Sequence, residues 1–206
     1  MSDSERRGPL VYAALGDSTG AGVGARQGGG YVARLFERIE RARPGSRLVN
    51  LSVSGATTEH VLGHQVGRLA EGGTPSLVTL GIGINDVQRL MLEEYERNLD
   101  QIIRRVRAAT AAPVILTNIP DITCSPAVPE FMRDEARKRI DAFNAALARV
   151  AARHGLAVVD VYTRSRELLP SRPDFFCSDL FHPSDEGYQF WADEMWPAVE
   201  QAIGHK

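Results

Sequence analysis

The sequence predicts an α/β protein in which helices cover both faces of a parallel sheet. Five short, apolar, β-branched runs alternate along the chain with longer stretches of helical periodicity. Such alternation is typical of parallel strands joined by crossover helices. The predicted strands are Leu10–Leu15, Leu48–Val53, Leu77–Ile82, Val114–Ile119 and Leu156–Val161, and the predicted helices are Tyr31–Arg43, Thr58–Ala70, Glu93–Thr110, Glu130–His154 and Ser184–Ile203.

Turn residues bound several of these elements. The first predicted strand runs directly into Gly16-Asp17-Ser18, and the second runs into Ser54-Gly55. The fourth strand is bounded by Pro113 and Pro120, which interrupt regular structure on either side of it. Gly155 follows the longest predicted helix and offers the left-handed conformation that commonly ends a helix. The positions of these residues therefore agree with the predicted alternation.

Length and charge indicate one domain and exclude one class of partner. A chain of 206 residues can bury a continuous core, and no linker or internal repeat divides it. We expect a single domain over residues 1–206, with residues 1–9 as a flexible N-terminal segment. The net charge is only −2, from 24 basic and 26 acidic residues. Because nucleic-acid binding requires a positive field, we expect no nucleic-acid partner.

The apolar segments bear on location and membrane association. Residues 1–9 are polar, and the apolar run that follows is shorter than the core of a secretion signal. No stretch approaches the roughly 18 apolar residues that a membrane-spanning helix needs. We therefore expect a cytoplasmic location without integral membrane association. The sequence carries no signal for the oligomeric state.

The two cysteines, Cys124 and Cys177, are too few for a disulfide framework. They lack the spacing of a redox pair, and by themselves they cannot supply a zinc site. We expect reduced thiols, although both lie in loop-like stretches, so a single bridge between them stays open.

Ligands of open parallel sheets bind beyond the carboxyl ends of the strands, so the residues just after each strand are candidates for function. Ser18 follows the first strand at a glycine-flanked turn, where a hydroxyl can project. Alone, such a serine is more often a helix cap or turn residue. A serine nucleophile also needs a base, and Asp179-Leu180-Phe181-His182 supplies an imidazole with a carboxylate three residues before it. Taken alone, His182 fits an ordinary loop residue.

Acyl transfer further requires donors for the oxyanion, and the ends of two other strands supply them. The Gly55 amide and the Asn85 side chain follow the second and third strands, and the Ser18 amide is a third candidate. Separately, Gly55 fits a turn glycine and Asn85 a capping residue. Four such groups at one edge of a sheet together favour a serine hydrolase.

The same residues resemble the four sequence blocks of SGNH (GDSL-like) hydrolases. The blocks are Gly16-Asp17-Ser18, Gly55, Gly83-x-Asn85-Asp86 and Asp179-x-x-His182, in the family's order and spread over nearly the whole chain. Thr19 departs from the family's common Gly-Asp-Ser-Leu, and we expect it to alter loop packing without changing the chemistry. The resemblance implies that Asp17 and Asp86 are structural.

The resemblance also implies a fold and an activity. The fold is a flavodoxin-like, three-layer α/β/α architecture with five parallel strands in the order 2-1-3-4-5. The activity is hydrolysis of small-molecule esters or thioesters through an acyl-serine, without a cofactor. We expect short acyl chains, because the loops after the strands are short. An acyltransferase that uses the same triad stays open, since an alcohol can replace water.

Three other interpretations of these residues compete with an SGNH hydrolase. Gly20-x-Gly22-x-x-Ala25 imitates a dinucleotide fingerprint, which would make the chain a doubly wound binding domain, but no acidic residue follows the second strand to hold a ribose. Gly16-x-Ser18-x-Gly20 fits the nucleophile elbow of α/β-hydrolases, although too few residues precede it. His60 and His64 have the spacing of two metal ligands on one helix face, but solvated surface histidines fit that pattern better.

Overall fold

Five parallel strands in the order β2-β1-β3-β4-β5 form a single sheet in the computed structural model, which describes residues 8–204. The three-layer fold and its strand order are confirmed. Most of the predicted flexible segment, residues 1–9, lies outside the described residues. The strands are β1 (Val11–Gly16), β2 (Arg47–Asn50), β3 (Leu77–Gly81), β4 (Val114–Thr117) and β5 (Ala157–Val159).

The helices join the strands as crossovers and close the chain on the sheet. They are α1 (Ser18–Ala21), α2 (Tyr31–Ala42), α3 (Thr58–His60), α4 (Ile84–Arg89), α5 (Leu92–Ala109), α6 (Glu130–His154), α7 (Val161–Leu168) and α8 (Asp185–Gly204). A π-helical turn (Val61–Gln65) and a 3₁₀ turn (Val66–Arg68) continue α3, and two further 3₁₀ turns (Leu169–Ser171 and Pro173–Phe175) precede α8.

A hydrophobic core lies on each face of the sheet. Strand side chains alternate between the two faces, so Ala13 and Leu15 pack under α5 and α6, while Tyr12 and Ala14 pack under α2 and α8. β1, β3 and β4 are buried almost throughout, which explains their continuous apolar runs. Fully burying one such large side chain contributes about 1.5–3 kcal/mol. The two cores fix the carboxyl ends of the strands, where the candidate site lies.

The edge strands are shorter than the sequence predicts. β2 ends at Asn50 instead of Val53, because the Asn50 side chain accepts a hydrogen bond from the Ser52 amide (3.1 Å) and turns the chain. β5 ends at Val159, because the Asp160 side chain accepts from the Thr163 amide and caps α7, which the sequence did not predict. The short helix α4 was also not predicted.

Two smaller findings concern the thiols and the helices. Cys124 and Cys177 are both free, so the bridge that the sequence left open is not formed. Within residues 8–204, no helix combines the length and apolar character needed to cross a membrane.

Candidate active site

Ser18 lies at the sharp turn between β1 and α1, at the carboxyl edge of the sheet. Ser18 is 3% exposed, and Asp17 before it is 2% exposed. The Asp17 carboxylate accepts hydrogen bonds from the Thr19 amide (2.9 Å) and the Thr19 hydroxyl (2.8 Å). Thr19, the departure from the common family sequence, therefore fastens the turn by an extra hydrogen bond. Ser18 stands at the first position of a helix that Asp17 caps.

Asp179 and His182 lie close together in the loop that precedes α8. The Asp179 Oδ2 atom is 2.7 Å from the His182 Nδ1 atom. The other carboxylate oxygen accepts from the Phe181 amide (2.8 Å), the His182 amide (2.9 Å) and the Cys177 thiol (3.1 Å). The loop reaches this shape because Leu180 adopts a left-handed conformation with φ of 58°. This geometry leaves the Nε2 atom of His182 available to another partner.

The two carboxylates near the site respond differently to their surroundings. Partial burial acts to raise the pKa of Asp179, but the hydrogen bonds from the His182 ring, the His182 amide and the Phe181 amide outweigh it and hold that pKa well below its usual range. Burial raises the pKa of Asp17 to about 6, against the opposing effect of its Thr19 hydrogen bonds. Asp179 is thus an anion at neutral pH, and Asp17 is an anion kept at a cost.

A glycine-rich loop joins the two triad-bearing segments. It follows α1, and its Gly24 packs so closely that a Cβ atom there would lie 3.1 Å from the His182 Cβ atom. The Tyr188 hydroxyl of α8 donates to the Val23 carbonyl (2.6 Å), and the Asp185 carboxylate accepts from the Gln27 amide (3.1 Å). The loop that follows the Ser18 turn is therefore packed directly against His182 and α8.

Ser18 and His182 line the same cleft. The cleft holds about 790 Å³ of space, including its opening to solvent. It extends from Ser18 along the ends of β3 and β4 and beneath α8. Its walls are mainly apolar, and they include Ile82, Ile119, Ile122, Phe175, Phe190 and Trp191. Residues 121–129 and 164–178 also contribute to this lining.

Gly55 and Asn85 lie next to one another but outside the lining of that cleft. The Asn85 amide donates to the carbonyl of Ala56, the neighbour of Gly55, at 2.9 Å. Gly55 has a φ of 77°, which favours glycine, and its carbonyl accepts from Arg89 at 2.9 Å. Because an amide carries two N–H groups, Asn85 keeps one donor beyond the bond to Ala56.

Asp86 ties these oxyanion candidates to the rest of the fold. Its side chain is fully buried and accepts from the Thr58 amide (2.9 Å) and the Thr58 hydroxyl (2.5 Å). Burial raises its pKa, although the Thr58 hydrogen bonds oppose the effect. Asp17 and Asp86 therefore each accept hydrogen bonds from the first turn of a short helix, α1 and α3 respectively.

Comparison with known proteins agrees with these blocks. The profile of the GDSL-like Lipase/Acylhydrolase family matches residues 14–190. The chain belongs to this family.

Two sequence relatives and one solved structure illustrate the relationship. GDSL-like esterase Rv1075c of Mycobacterium tuberculosis is 28% identical over 196 residues, which are 93% of this chain and 62% of that protein, so this chain spans under two thirds of that relative. Esterase TesA of Pseudomonas aeruginosa is 27% identical over 92% of this chain and 87% of its own length. A crystal structure of TesA superposes with a TM-score of 0.76 and 25% identity, covering 93% of this chain and 99% of the other.

Two of the competing interpretations, a dinucleotide-binding site and a histidine metal site, do not fit the geometry of residues 8–204 in this GDSL-family chain. The glycines of the fingerprint-like segment lie inside and just after α1, where Gly22 ends that helix in a left-handed conformation. A dinucleotide fingerprint instead uses its glycines to open a helix. The His60 and His64 rings pair at 4.8 Å between centroids, and within residues 8–204 no group of three or more His, Cys, Asp or Glu side chains is placed to hold a metal ion.

The sequence does not indicate that part of α8 lines the cleft. Gly187, Phe190 and Trp191 all line it. Their helical spacing indicates only that one face of α8 is buried, and it does not indicate against what. The sequence also does not indicate a role for Gln65, whose side chain bonds the backbone of Gly16, two residues before Ser18. No local signal marks that residue, because polar residues in helices usually face solvent.

Proposed function

We propose that this GDSL-family hydrolase cleaves carboxylic esters through an acyl-enzyme on Ser18. The observation that carries the proposal is the placement of His182. Its Nδ1 atom is held by the Asp179 carboxylate at 2.7 Å, and the residue shares one cleft with Ser18. This arrangement supports His182 as a general base whose free Nε2 atom serves the serine hydroxyl.

The proposed reaction has two steps. The Ser18 oxygen bonds to the ester carbonyl carbon while its proton passes to His182, which then gives that proton to the departing alcohol oxygen. Water next attacks the acyl carbon, losing a proton to His182, which returns that proton to the Ser18 oxygen as the ester bond to Ser18 breaks and the carboxylic acid leaves. Asp179 orients the imidazole and stabilises its protonated form. Every step uses groups of this chain and water, so we propose that no cofactor takes part.

We assign the developing oxyanion to three donors. They are the Ser18 amide, the Gly55 amide and the N–H of Asn85 that the Ala56 carbonyl does not occupy. Donors fixed before the reaction are effective because they need no reorganisation as charge develops. The hydrogen bonds of Asn85 and Arg89 to the Gly55 loop support such a fixed arrangement.

The cleft supports an apolar acyl group as the recognised part of the substrate. The sequence favours short acyl chains, and the lining beneath α8 adds apolar surface beyond what an acetyl group can contact. We therefore propose esters or thioesters of short to medium acyl chains. A buried polar acyl group would leave unpaired hydrogen-bonding atoms against these walls, which is unfavourable.

The test is a chain-length panel on the purified protein. Wild type and Ser18→Ala receive p-nitrophenyl acetate, butyrate, octanoate and palmitate, with the matching acyl-coenzyme A thioesters. We expect kcat/KM to peak at butyrate or octanoate and the Ser18→Ala variant to lose activity on every substrate. A Ser18→Ala variant with near-normal rates would refute the mechanism, and a peak at palmitate would refute the substrate proposal alone.

A further inference from the structure

Gly16, the last residue of β1, is paired in full with a neighbouring strand on one side only. Towards β3 it pairs in register with Gly81. Towards β2 the pairing ends at Ala14 and Asn50, because β2 turns away there. The Gly16 carbonyl accepts from the Val53 amide (3.1 Å), but no strand residue of β2 stands opposite the Gly16 N–H.

The side chain of Gln65 occupies that place. Its Oε1 atom accepts from the Gly16 amide at 2.9 Å, and its Nε2 atom donates to the Gly16 carbonyl at 2.8 Å. Gln65 therefore replaces the strand acceptor that the Gly16 N–H lacks, and it adds a second donor, beside the Val53 amide, to the Gly16 carbonyl. Gln65 is 1% exposed, so breaking these bonds would leave buried polar groups without water to bind, which is unfavourable.

The helical segment after Gly55 is irregular in a way that delivers Gln65 to this site. It passes from α3 into the π-helical turn Val61–Gln65, whose last residue is Gln65. A π turn inserts extra backbone into a helix and is frequent at functional sites. Here it places a polar side chain against the sheet.

Gly16 in turn controls where Ser18 stands. A Cβ atom at Gly16 would lie 2.5 Å from the Gly81 carbonyl oxygen, so the backbone there is in tight contact on the β3 side. Gln65 holds the opposite side. Ser18 follows two residues later, at the start of α1, and any shift of Gly16 is passed to its hydroxyl.

We propose that Gln65 is a positioning residue for the nucleophile, which it places by bonding both backbone groups of Gly16. This proposal rests on the function of Ser18 proposed above. It predicts a specific kinetic effect, because misplacing a reacting group by about 1 Å can cost about 10²-fold in rate. Binding of the acyl group, which depends on other walls, should change little.

The chain offers a matched control in Asn144. Its side chain bonds the backbone of Ile119 in the same double manner, with Oδ1 accepting from the Ile119 amide (2.8 Å) and Nδ2 donating to the Ile119 carbonyl (2.9 Å). Ile119 lines the cleft but carries no reacting group. Breaking this second pair should therefore disturb binding of the acyl group and leave the nucleophile in place.

The experiment compares Gln65→Met and Gln65→Glu with Asn144→Leu and Asn144→Asp. Each protein reacts with a p-nitrophenyl alkylphosphonate, in which the Ser18 oxygen bonds to phosphorus and p-nitrophenolate leaves. The amount of p-nitrophenolate counts competent sites, and the rate constant reports the reactivity of each competent site. The rate constant is thus separated from the fraction of folded protein, which changes only the number of competent sites. Steady-state kcat and KM are measured beside them on an ester.

We expect both Gln65 variants to lower the phosphonylation rate constant and kcat by about 10- to 100-fold, with KM changed less than about threefold. The Asn144 variants should keep the rate constant at saturating phosphonate and raise KM. A purely structural role for Gln65 would instead lower only the number of competent sites, and that result would overturn the proposal. If Gln65→Met does not fold, Gln65→Glu decides, because it keeps the acceptor for the Gly16 amide while an ionised carboxylate cannot donate to the Gly16 carbonyl.

The experiment distinguishes failure of the Gln65 proposal from failure of the proposed function of Ser18. If the wild type reacts at Ser18 and the Gln65 variants match its rate constant, only the positioning role of Gln65 fails. If the wild type itself shows no reaction at Ser18, the proposed function fails first.

Discussion

The two halves of the candidate triad are held in different ways. The nucleophile half lies in the protein core, where Ser18 and Asp17 are 3% and 2% exposed and the sheet contacts them from below. The acid–base half lies in a surface loop, where the side chains of Asp179 and His182 are 46% and 19% exposed. Burial and strand pairing therefore fix one half, and a few local hydrogen bonds fix the other.

This difference places different physical demands on each half. A buried carboxylate such as Asp17 must bear the cost of desolvation, whereas Asp179 keeps its charge easily beside solvent and its hydrogen-bond donors. The loop half instead needs an unusual backbone, which Leu180 supplies with its positive φ. A change at Asp17 should therefore affect stability, and a change at Asp179 should affect catalysis.

The largest expected effect comes from Asp179→Asn, which tests the loop half. The amide would present an N–H group to His182 Nδ1 and favour the wrong tautomer of the imidazole, so kcat should fall by about 10⁴-fold. Stopped-flow and steady-state assays on an activated ester measure this. Asp174→Asn, which changes an exposed carboxylate paired with Arg172 nearby, serves as the control and should keep its activity. Equal activity of the two variants would remove Asp179 from the mechanism.

Asn85→Ala should have the next largest effect. If its free N–H binds the oxyanion, turnover should fall by about 10²–10³-fold with little change in KM. The variant's circular dichroism and unfolding midpoint should stay close to those of the wild type, because the lost bond to Ala56 is partly exposed to solvent. A near-normal kcat would show that Asn85 only supports the Gly55 loop.

Asp17→Asn tests the cost of the buried half. The folded-state pKa of Asp17, about 6, lies above its usual value of 3.8, so folding favours the protonated carboxyl. Its contribution to stability is complete below about pH 4 and is lost as the pH rises through about 6. The amide cannot ionise, so we expect the variant to gain up to about 3 kcal/mol over the wild type at pH 8 and nothing near pH 4. Urea unfolding at both pH values checks this, and parallel pH curves would contradict it.

The smallest effect concerns the backbone of the loop. Leu180 is 43% exposed, so its side chain contributes little packing, and its left-handed conformation costs a β-branched residue most. Leu180→Gly should therefore exceed Leu180→Val in unfolding free energy by about 1–2 kcal/mol. Thermal and urea unfolding of the two variants measure the difference. Equal stabilities would mean that the loop relaxes freely, and the contrast between the two halves would be wrong.

The sequence predicts the centre of the fold better than its edges. β1, β3 and β4 are interior strands, and their apolar runs match their burial. β2 and β5 lie at the sheet edges with partly exposed residues, so hydrogen bonds of Asn50 and Asp160 decide where they end. Hydrophobic periodicity does not detect such side-chain bonds.

The candidate site shows the same limit. Ser18, Asp179 and His182 stand out because few residue types perform this chemistry and their positions after strands and before α8 are readable. Gln65 does not stand out, since its role depends on a π turn and on the Gly16 N–H, which has no β2 partner and lies far away in the sequence. The walls of the cleft are equally hidden, because α8 reaches it only through tertiary packing.

The most direct test is to locate a covalent adduct. The wild-type protein is treated with a p-nitrophenyl alkylphosphonate, digested and mapped by mass spectrometry, beside the Ser18→Ala variant. The account predicts one phosphonyl group per chain, on the peptide that carries Ser18, and none on the variant. An adduct on a different residue, or an unlabelled protein that still hydrolyses esters, would contradict it.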